Sequence, residues 1–261
     1  MDYWYKQTRD QPLFPDLEWE KPERKDQAGK LLIVGGNLHG FAAPAKADEI
    51  AKQQGIGAIR IVLPDALRKT LGHLWIDAVF APSTPSGSFA VEATDPILQN
   101  LMWADGVLLA GDLGRNSQTA LLLETLIRTT SVPLGITKDA LDYFTTNATL
   151  LLDRADTLVV GSFAQIQKLL SHSEHPLAIT YDMQLSTLVE LLSELTKQHP
   201  AHIVTKFHDY FVVACGGNVS TTQDSREGEV WRLDMTARAI VNLLHFPAKP
   251  FAALTRAASG R

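Results

Sequence analysis

The chain has 261 residues, of which 45% are hydrophobic and 20% are charged, a composition typical of a globular protein with a substantial core. Its net charge of −5 and its scattered basic residues give no general attraction to nucleic acid or to an anionic membrane. The single cysteine, Cys215, excludes an intrachain disulfide, and no apolar run reaches membrane-spanning length. We therefore expect a cytoplasmic protein that binds neither nucleic acid nor membrane.

Residues 1–28 differ from the rest of the chain in that they mix charges, prolines and aromatic side chains without a steady period. Disordered tails rarely contain so many aromatic residues. We therefore predict an extended N-terminal arm that docks on the body of the protein or on a neighbouring subunit, and a loose tail is the alternative. Residues 29–261 contain no linker rich in Pro, Gly or Ser, so we interpret them as one domain.

From residue 30 onward, short apolar runs alternate with stretches in which apolar residues recur at helical spacing. The apolar runs predict strands over residues 30–34, 58–64, 76–82, 106–111, 132–137, 156–161, 202–206 and 210–215, the last followed by a hairpin. The periodic stretches predict helices over residues 43–55, 95–103, 116–130, 138–144, 162–170, 183–198 and from Asp234 to the residue before Pro247. This alternation predicts an α/β domain of three layers, with a mainly parallel central sheet, helices on both faces and antiparallel strands at one edge.

Acidic residues and glycines are found in the loops that follow the predicted strands, over residues 35–40, 110–114, 137–139 and 161–165 and before Asp234. Ligands of open α/β sheets bind at the carboxyl ends of the strands, so we predict a cleft there. Asp234 lies at a predicted helix start, where backbone N–H groups attract anions, and the alternative is that it only caps the helix. The same alternative applies to Asp139.

Two His-x-x-His pairs, His172/His175 and His199/His202, lack the neighbouring carboxylate motif of a zinc site. We predict surface histidines and no metal-ligand site. Cys215 lies in an apolar strand and is predicted to be a core residue.

Several of the strand-end loops resemble signatures of the NAD(P)H-hydrate dehydratase family, which has a ribokinase-like fold. Residues 29–64 are similar to the first signature, "VLLAGDLGRNSQT" (107–119) to a strand ending in Gly-Pro-Gly-Leu-Gly, and "TKDAL" (137–141) to Asp-Ala-Asp-Ala-Leu. Two signatures have changed. "GSFAQ" (161–165) lies at the place of Pro-His-Pro-Gly-Glu, and "WRLD" (231–234) keeps the acid of a Gly-[Ser/Thr]-Gly-Asp turn without its glycines.

The resemblance implies a reaction in which ADP or ATP, with or without Mg²⁺, drives the loss of water from hydrated NADH or NADPH. It implies that Asp234 is the catalytic base. The other candidate site residues lie in or beside the strand-end loops. Those assigned to the nucleotide are Gly111, Gly114, Arg232 and Lys206. Those assigned to the substrate are Gly36, Asn37, His39 and Asp139.

The altered turn before Asp234 is a physical objection to this activity, because side chains such as Trp231 and Leu233 disfavour the positive φ that a glycine turn uses. Arg232 could instead supply a guanidinium group to a phosphate. Three functions therefore stay open: a dehydratase, a non-catalytic descendant that binds a nucleotide or a protein, and a small-molecule kinase on the same fold. By analogy with other proteins of this fold, we also expect a homo-oligomer.

Overall fold

The computed structural model describes residues 2–73, 75, 77–173, 178–224 and 231–260. Ile76, in the strand predicted over residues 76–82, and His175, in one of the two His-x-x-His pairs, lie outside these ranges. The strands of the described residues are β1 (Trp4–Gln7), β2 (Lys30–Gly35), β3 (Ala58–Pro64), β4 (Val79–Ala81), β5 (Gly106–Gly111), β6 (Leu134–Thr137), β7 (Thr157–Val160), β8 (His202–Phe207), β9 (Tyr210–Cys215) and β10 (Asn218–Gln223).

These strands form one sheet in the order β1-β10-β9-β8-β7-β6-β5-β2-β3-β4. β9 pairs antiparallel with both of its neighbours, and every other neighbouring pair in this order is parallel. The predicted mainly parallel sheet with antiparallel pairing toward one edge is confirmed. The carboxyl ends of β2, β5, β6, β7, β8 and β10 consequently lie along the same side of the sheet.

The α-helices of the described residues are α1 (Ala42–Gln53), α2 (Arg68–Leu71), α3 (Thr94–Leu101), α4 (Ser117–Thr129), α5 (Lys138–Asp142), α6 (Thr149–Leu152), α7 (Phe163–Ser171), α8 (Leu185–Gln198), α9 (Trp231–His245) and α10 (Pro250–Ala258). Side chains of α3 to α8 enter the core on one face of the sheet, and side chains of α1, α2, α9 and α10 enter the core on the other.

Strand β2 has apolar side chains on both of its faces, so helices must cover both. Leu32 and Val34 lie in the first core, whereas Leu31 and Ile33 lie in the second.

The N-terminal arm supplies the edge strand β1, which pairs in parallel with β10. The side-chain amide of Gln7 donates hydrogen bonds of 2.7 Å to the Thr222 hydroxyl and to the backbone oxygen of Thr255. Farther along the arm, Leu17 is buried in the core beside α10. The arm is therefore held on the body by backbone pairing, by a buried amide and by apolar contact, while the domain boundary at residue 28 stays a prediction.

Two of the histidines predicted to lie on the surface are buried. His199 is 8% exposed and its Nδ1 lies 2.5 Å from Asp153 Oδ1. His202 is 6% exposed, and neither of its ring nitrogens has a hydrogen-bond partner among the described residues. The prediction was wrong because His202 begins β8, a strand covered by helices on both faces. Cys215 is buried as predicted.

Candidate functional site

Asp139 joins the loops that follow β5 and β6. One carboxylate oxygen, Oδ2, accepts hydrogen bonds from the backbone N–H groups of Leu113 at 2.8 Å and Gly114 at 3.1 Å. The N-cap of α5 is Thr137, so Asp139 holds the neighbouring loop and does not cap its own helix. The capping interpretation of Asp139 is therefore wrong, and the acid fixes the backbone of one predicted ligand loop from another.

Gly36 and Gly111 bring the loops after β2 and β5 into backbone contact. The N–H of Gly36 donates to the carbonyl oxygen of Gly111 at 3.0 Å, and both glycines have positive φ, 87° and 95°. A Cβ atom on Gly111 would lie 2.7 Å from Asp139 Oδ1. Glycine is required at Gly111 both by the backbone conformation and by the approach of this carboxylate.

The negative charge of Asp112 is compensated within the same loop cluster. Its Oδ1 lies 2.7 Å from Lys138 Nζ, and its Oδ2 accepts the backbone N–H of Ala43 at 2.7 Å. Asn37 donates from its side-chain amide to the backbone oxygen of Asp112 at 2.5 Å. His39, in the same β2 loop, is exposed and donates its backbone N–H to Asn37 Oδ1. The negative charge of Asp112 is therefore balanced by Lys138.

Tyr143 supports the same cluster and was missed by sequence reasoning. Its hydroxyl donates to the backbone oxygen of Gly114 at 2.7 Å and accepts the backbone N–H of Asn116 at 3.1 Å. Burial raises the pKa of Tyr143, so the phenol stays protonated and able to donate. The available signal was its position four residues after Asp139, which places both on one face of a helical stretch.

Gln165, the second missed residue, connects the loops after β6 and β7 to α9. Its amide nitrogen donates to the Lys138 carbonyl at 2.8 Å and to Asp142 Oδ1 at 2.7 Å. Its amide oxygen accepts from Arg232 Nη1 at 2.8 Å. The Gln165 side chain also closes the capping box of α7 with Ser162. That Ser-x-x-Gln spacing was visible in "SFAQ", although the contact with Arg232 was not.

Asp234 lies in the first turn of α9, three residues after the first described helical residue, Trp231. It is therefore not the N-cap, and that interpretation is wrong. Its carboxylate accepts hydrogen bonds from Arg238, from Nε at 2.8 Å and from Nη2 at 3.2 Å. Residues of an α-helix are about 100° apart around the axis, so Arg232 and Asp234 project roughly 200° apart. Arg232 faces Gln165, whereas Asp234 pairs along the helix with Arg238.

The structure thus brings together the predicted residues of the first three loops, which are Gly36, Asn37, Gly111, Gly114 and Asp139. Arg232 is connected to them through Gln165 and the backbone of Lys138. Lys206 lies in β8, with its Nζ 5.8 Å from the ring centroid of Phe211. The functional roles assigned to all these residues stay predictions.

The carboxyl group of Asp139 gives the cluster a measurable pH dependence. Burial raises its pKa above the usual 3.8, although the N–H groups of Gly114 and Leu113 partly offset this, and its buried Oδ1 has no partner among the described residues. The folded state therefore binds this proton more tightly than the unfolded state, and ionisation of Asp139 lowers the stability as the pH rises above about 4.

We expect the Asp139→Asn variant to gain stability relative to the wild type between pH 4 and pH 7, because the variant lacks this ionisation. Urea unfolding of the variant and the wild type at both pH values measures this gain in the free energy of unfolding. A loss of stability that the substitution causes equally at both pH values cancels in the comparison. Asp16→Asn, which changes an exposed carboxylate, is the control and should leave the pH dependence unchanged. An equal pH dependence for Asp139→Asn and the wild type would contradict the prediction.

Among the residues that the structure describes, no three His, Cys, Asp or Glu side chains are close enough to hold a metal ion. In the same residues, no helix combines the length and the apolar character needed to cross a membrane.

Comparison with curated proteins confirms the resemblance seen in the loops. The bifunctional NAD(P)H-hydrate repair enzyme of Moorella thermoacetica is 27% identical over 143 residues, which are 54% of this chain and 27% of that protein. The ATP-dependent (S)-NAD(P)H-hydrate dehydratase of Caenorhabditis elegans is 25% identical over 236 residues, 87% of this chain and 73% of that protein. The alignments cover about a quarter of the length of the bifunctional relatives. No protein-family model matches the chain.

Solved structures confirm the fold. A ribokinase-like superfamily protein of Enterococcus faecalis superposes with a TM-score of 0.70 at 15% identity, covering 98% of this chain and 85% of the other. The ADP/ATP-dependent NAD(P)H-hydrate dehydratase of Bacillus subtilis, co-crystallised with ATP/Mg²⁺ and soaked with CoA, superposes with a TM-score of 0.59 at 13% identity, covering 94% and 85%. The chain has a ribokinase-like fold, and its sequence is dehydratase-like and divergent.

Proposed function

We propose that this chain binds hydrated NAD(P)H and a nucleoside di- or triphosphate at the carboxyl edge of its sheet and uses the nucleotide to remove water from the hydrate. One observation carries the proposal. The loops after β2, β5 and β6, which resemble the signatures of the dehydratases, are joined in one hydrogen-bonded unit centred on Asp139 and Gly111. The relatives named for this activity support the same assignment.

The proposed chemistry needs a base and a stabiliser of phosphate charge. Asp234 would take the proton of the ring hydroxyl while the hydroxyl oxygen attacks the terminal phosphorus and the bond from that phosphorus to the rest of the nucleotide breaks. The carbon–oxygen bond of the phosphorylated ring would then break with its electron pair leaving on the phosphate, while the adjacent carbon loses a proton to water and the electron pair of that carbon–hydrogen bond forms the ring double bond. Arg232 and the N–H groups at the start of α9 would stabilise the phosphate charge, and Asp139 would shape the substrate side.

Mg²⁺ fits this site as an ion that arrives on the nucleotide phosphates. Both oxygens of Asp112 are engaged, by Lys138 and by the N–H of Ala43, and Oδ2 of Asp139 accepts two backbone N–H groups. These two carboxylates therefore do not form a complete Mg²⁺ site made of protein ligands alone. Mg²⁺ commonly binds through substrate phosphates and one or two carboxylates.

A second candidate function is a non-catalytic protein that binds a nucleotide at the same place. Two observations favour this function. Both carboxylate oxygens of Asp234, the proposed base, accept hydrogen bonds from Arg238, and residues 231–234 are helical where the dehydratases have a glycine turn. A small-molecule kinase is supported by the shared fold alone, which does not define an activity.

Turnover of hydrated NADH with ATP or ADP and Mg²⁺, followed by the returning absorbance of the reduced ring, tests the proposed function. We expect Asp234→Asn to lower the rate by about a hundredfold or more, because it removes the general base. Glu124→Gln is a matched control. Glu124 also pairs with an arginine four residues later, but on α4, and its loss should leave the rate unchanged.

The outcome separates the candidates when nucleotide binding is measured in parallel. A rise in melting temperature with nucleotide but no turnover would favour the non-catalytic protein, since a ligand of the folded state raises its stability. No turnover together with no thermal shift at millimolar nucleotide would contradict the dehydratase, the kinase and the non-catalytic nucleotide-binding protein, whereas a non-catalytic descendant that binds a protein is not tested by these measurements.

A further inference from the structure

Arg238 is fixed at both ends of its guanidinium group. Nε and Nη2 donate to the two oxygens of Asp234, at 2.8 Å and 3.2 Å, and Nη1 donates to the backbone oxygen of Gly260 at 3.2 Å. The proposed base is therefore held by a cation on its own helix. While the pair persists, each oxygen of the carboxylate accepts a hydrogen bond from Arg238, which orients the carboxylate toward that guanidinium group.

The strength of this pair decides whether it can open. The side chains of Arg238 and Asp234 are 20% and 36% exposed, and the two residues are four apart on a helix. Ion pairs of this kind shift an equilibrium by a factor of only about two to five, because water screens the charges. A phosphate group offers more charge and more acceptor oxygens in a geometry that suits the guanidinium fork. A bound phosphate can therefore displace the carboxylate.

We propose that Arg238 is a positioning residue that holds Asp234 in the absence of nucleotide and transfers to the nucleotide phosphate when it binds, which releases the carboxylate. The inference rests on the proposed function, since it requires a nucleotide at the start of α9. The sequence "WRLD" lacks the glycines whose turn would direct converging N–H groups at a phosphate. The guanidinium group of Arg238 would replace part of the positive potential that those N–H groups provide.

The proposal predicts opposite effects of two substitutions on the affinity for MgADP. Asp234→Ala removes the competitor for Arg238, so MgADP should bind about two- to fivefold more tightly. Arg238→Gln removes the charged donor, so MgADP should bind about tenfold more weakly. Arg238→Lys keeps the charge and should recover part of the loss. Titration calorimetry measures each dissociation constant without requiring turnover.

The double variant distinguishes this competition from simple repulsion between Asp234 and the phosphate. If Arg238 moves from one partner to the other, Asp234→Ala should have no effect on affinity once Arg238 is replaced by Gln. If Asp234 only repels the nucleotide, Asp234→Ala tightens binding equally in both backgrounds, and the proposal is overturned. Steady-state turnover adds a second readout, in which Arg238→Gln should raise KM for the nucleotide while kcat changes little.

The pair Glu124/Arg128 is the matched control, because it has the same spacing and a guanidinium hydrogen-bonded through Nε and Nη2, but it lies on α4. Glu124→Ala and Arg128→Gln should leave MgADP affinity unchanged. MgADP binding by the wild type with no effect of Arg238→Gln would overturn the role of Arg238 and leave the proposed function intact. Absence of binding of both MgADP and MgATP by the wild type would remove both.

Discussion

Lowering the pH from 7.5 to 5 is expected to remove about 2 kcal/mol from the free energy of unfolding through His245 alone. Burial lowers the pKa of His245 from 6.5 to about 4, and the charges of Lys21 and Arg256 act in the same direction against a hydrogen bond with the Ala28 backbone. The unfolded chain protonates this imidazole below pH 6.5, whereas the folded protein keeps it neutral. Its contribution is therefore complete above pH 6.5 and is lost as the pH falls toward 4.

Urea unfolding of the wild type and of His245→Asn at both pH values measures this contribution. Asn cannot titrate in this range and retains a polar group near the Nδ1 position, so the loss of stability at pH 5 should be about 2 kcal/mol smaller in the variant. His172→Asn, at an exposed histidine, should lose as much stability as the wild type. Burial also lowers the pKa of His202, so the His245 variant should retain some sensitivity to acid. The prediction fails if His245→Asn and the wild type lose equal stability.

The sheet could be predicted to a large extent because its strands have local signals. β3, β5 and β9 coincide with the apolar runs at residues 58–64, 106–111 and 210–215, which are bounded by Gly, Pro or polar residues. β1 has no such signal. Its four residues become a strand only because β10, more than two hundred residues later, presents a free edge to them. Sequence analysis also missed α10, in which Pro250 occupies the first turn, where its missing N–H costs little.

The candidate site was predicted less completely than the sheet, and the reason is the range of its contacts. The sequence shows that Asp139 and Gly114 follow different strands, but not that one carboxylate oxygen binds the N–H of Gly114. The contact of Arg232 with Gln165 spans 67 positions and has no local signature. The pair Asp234/Arg238 is different, because its spacing of four residues was visible in the sequence and predicts an ion pair on one helix face.

Replacing Gly111 by Ala is expected to destabilise the protein by about 3 kcal/mol, with two contributions. The positive φ of 95° costs a residue with a Cβ about 1–2 kcal/mol. The added Cβ would also lie 2.7 Å from Asp139 Oδ1 and 2.9 Å from the Cβ of Lys138. The second contact cannot be relieved by rotating a side chain, because a Cβ atom moves only with its backbone. The β6 loop must therefore shift, at a further cost of about 1–3 kcal/mol.

Gly55 provides the control that separates the two contributions. Its φ is 86°, close to that of Gly111, but nothing lies within 4 Å of an added Cβ. Gly55→Ala should therefore cost only the conformational part, about 1–2 kcal/mol in urea unfolding. Because the shift of the β6 loop moves Asp139 away from the N–H groups of Leu113 and Gly114, Gly111→Ala should also weaken ligand binding at the strand ends, whereas Gly55→Ala should not. Equal losses of stability in the two variants would mean that the approach of Asp139 to Gly111 does not constrain these loops.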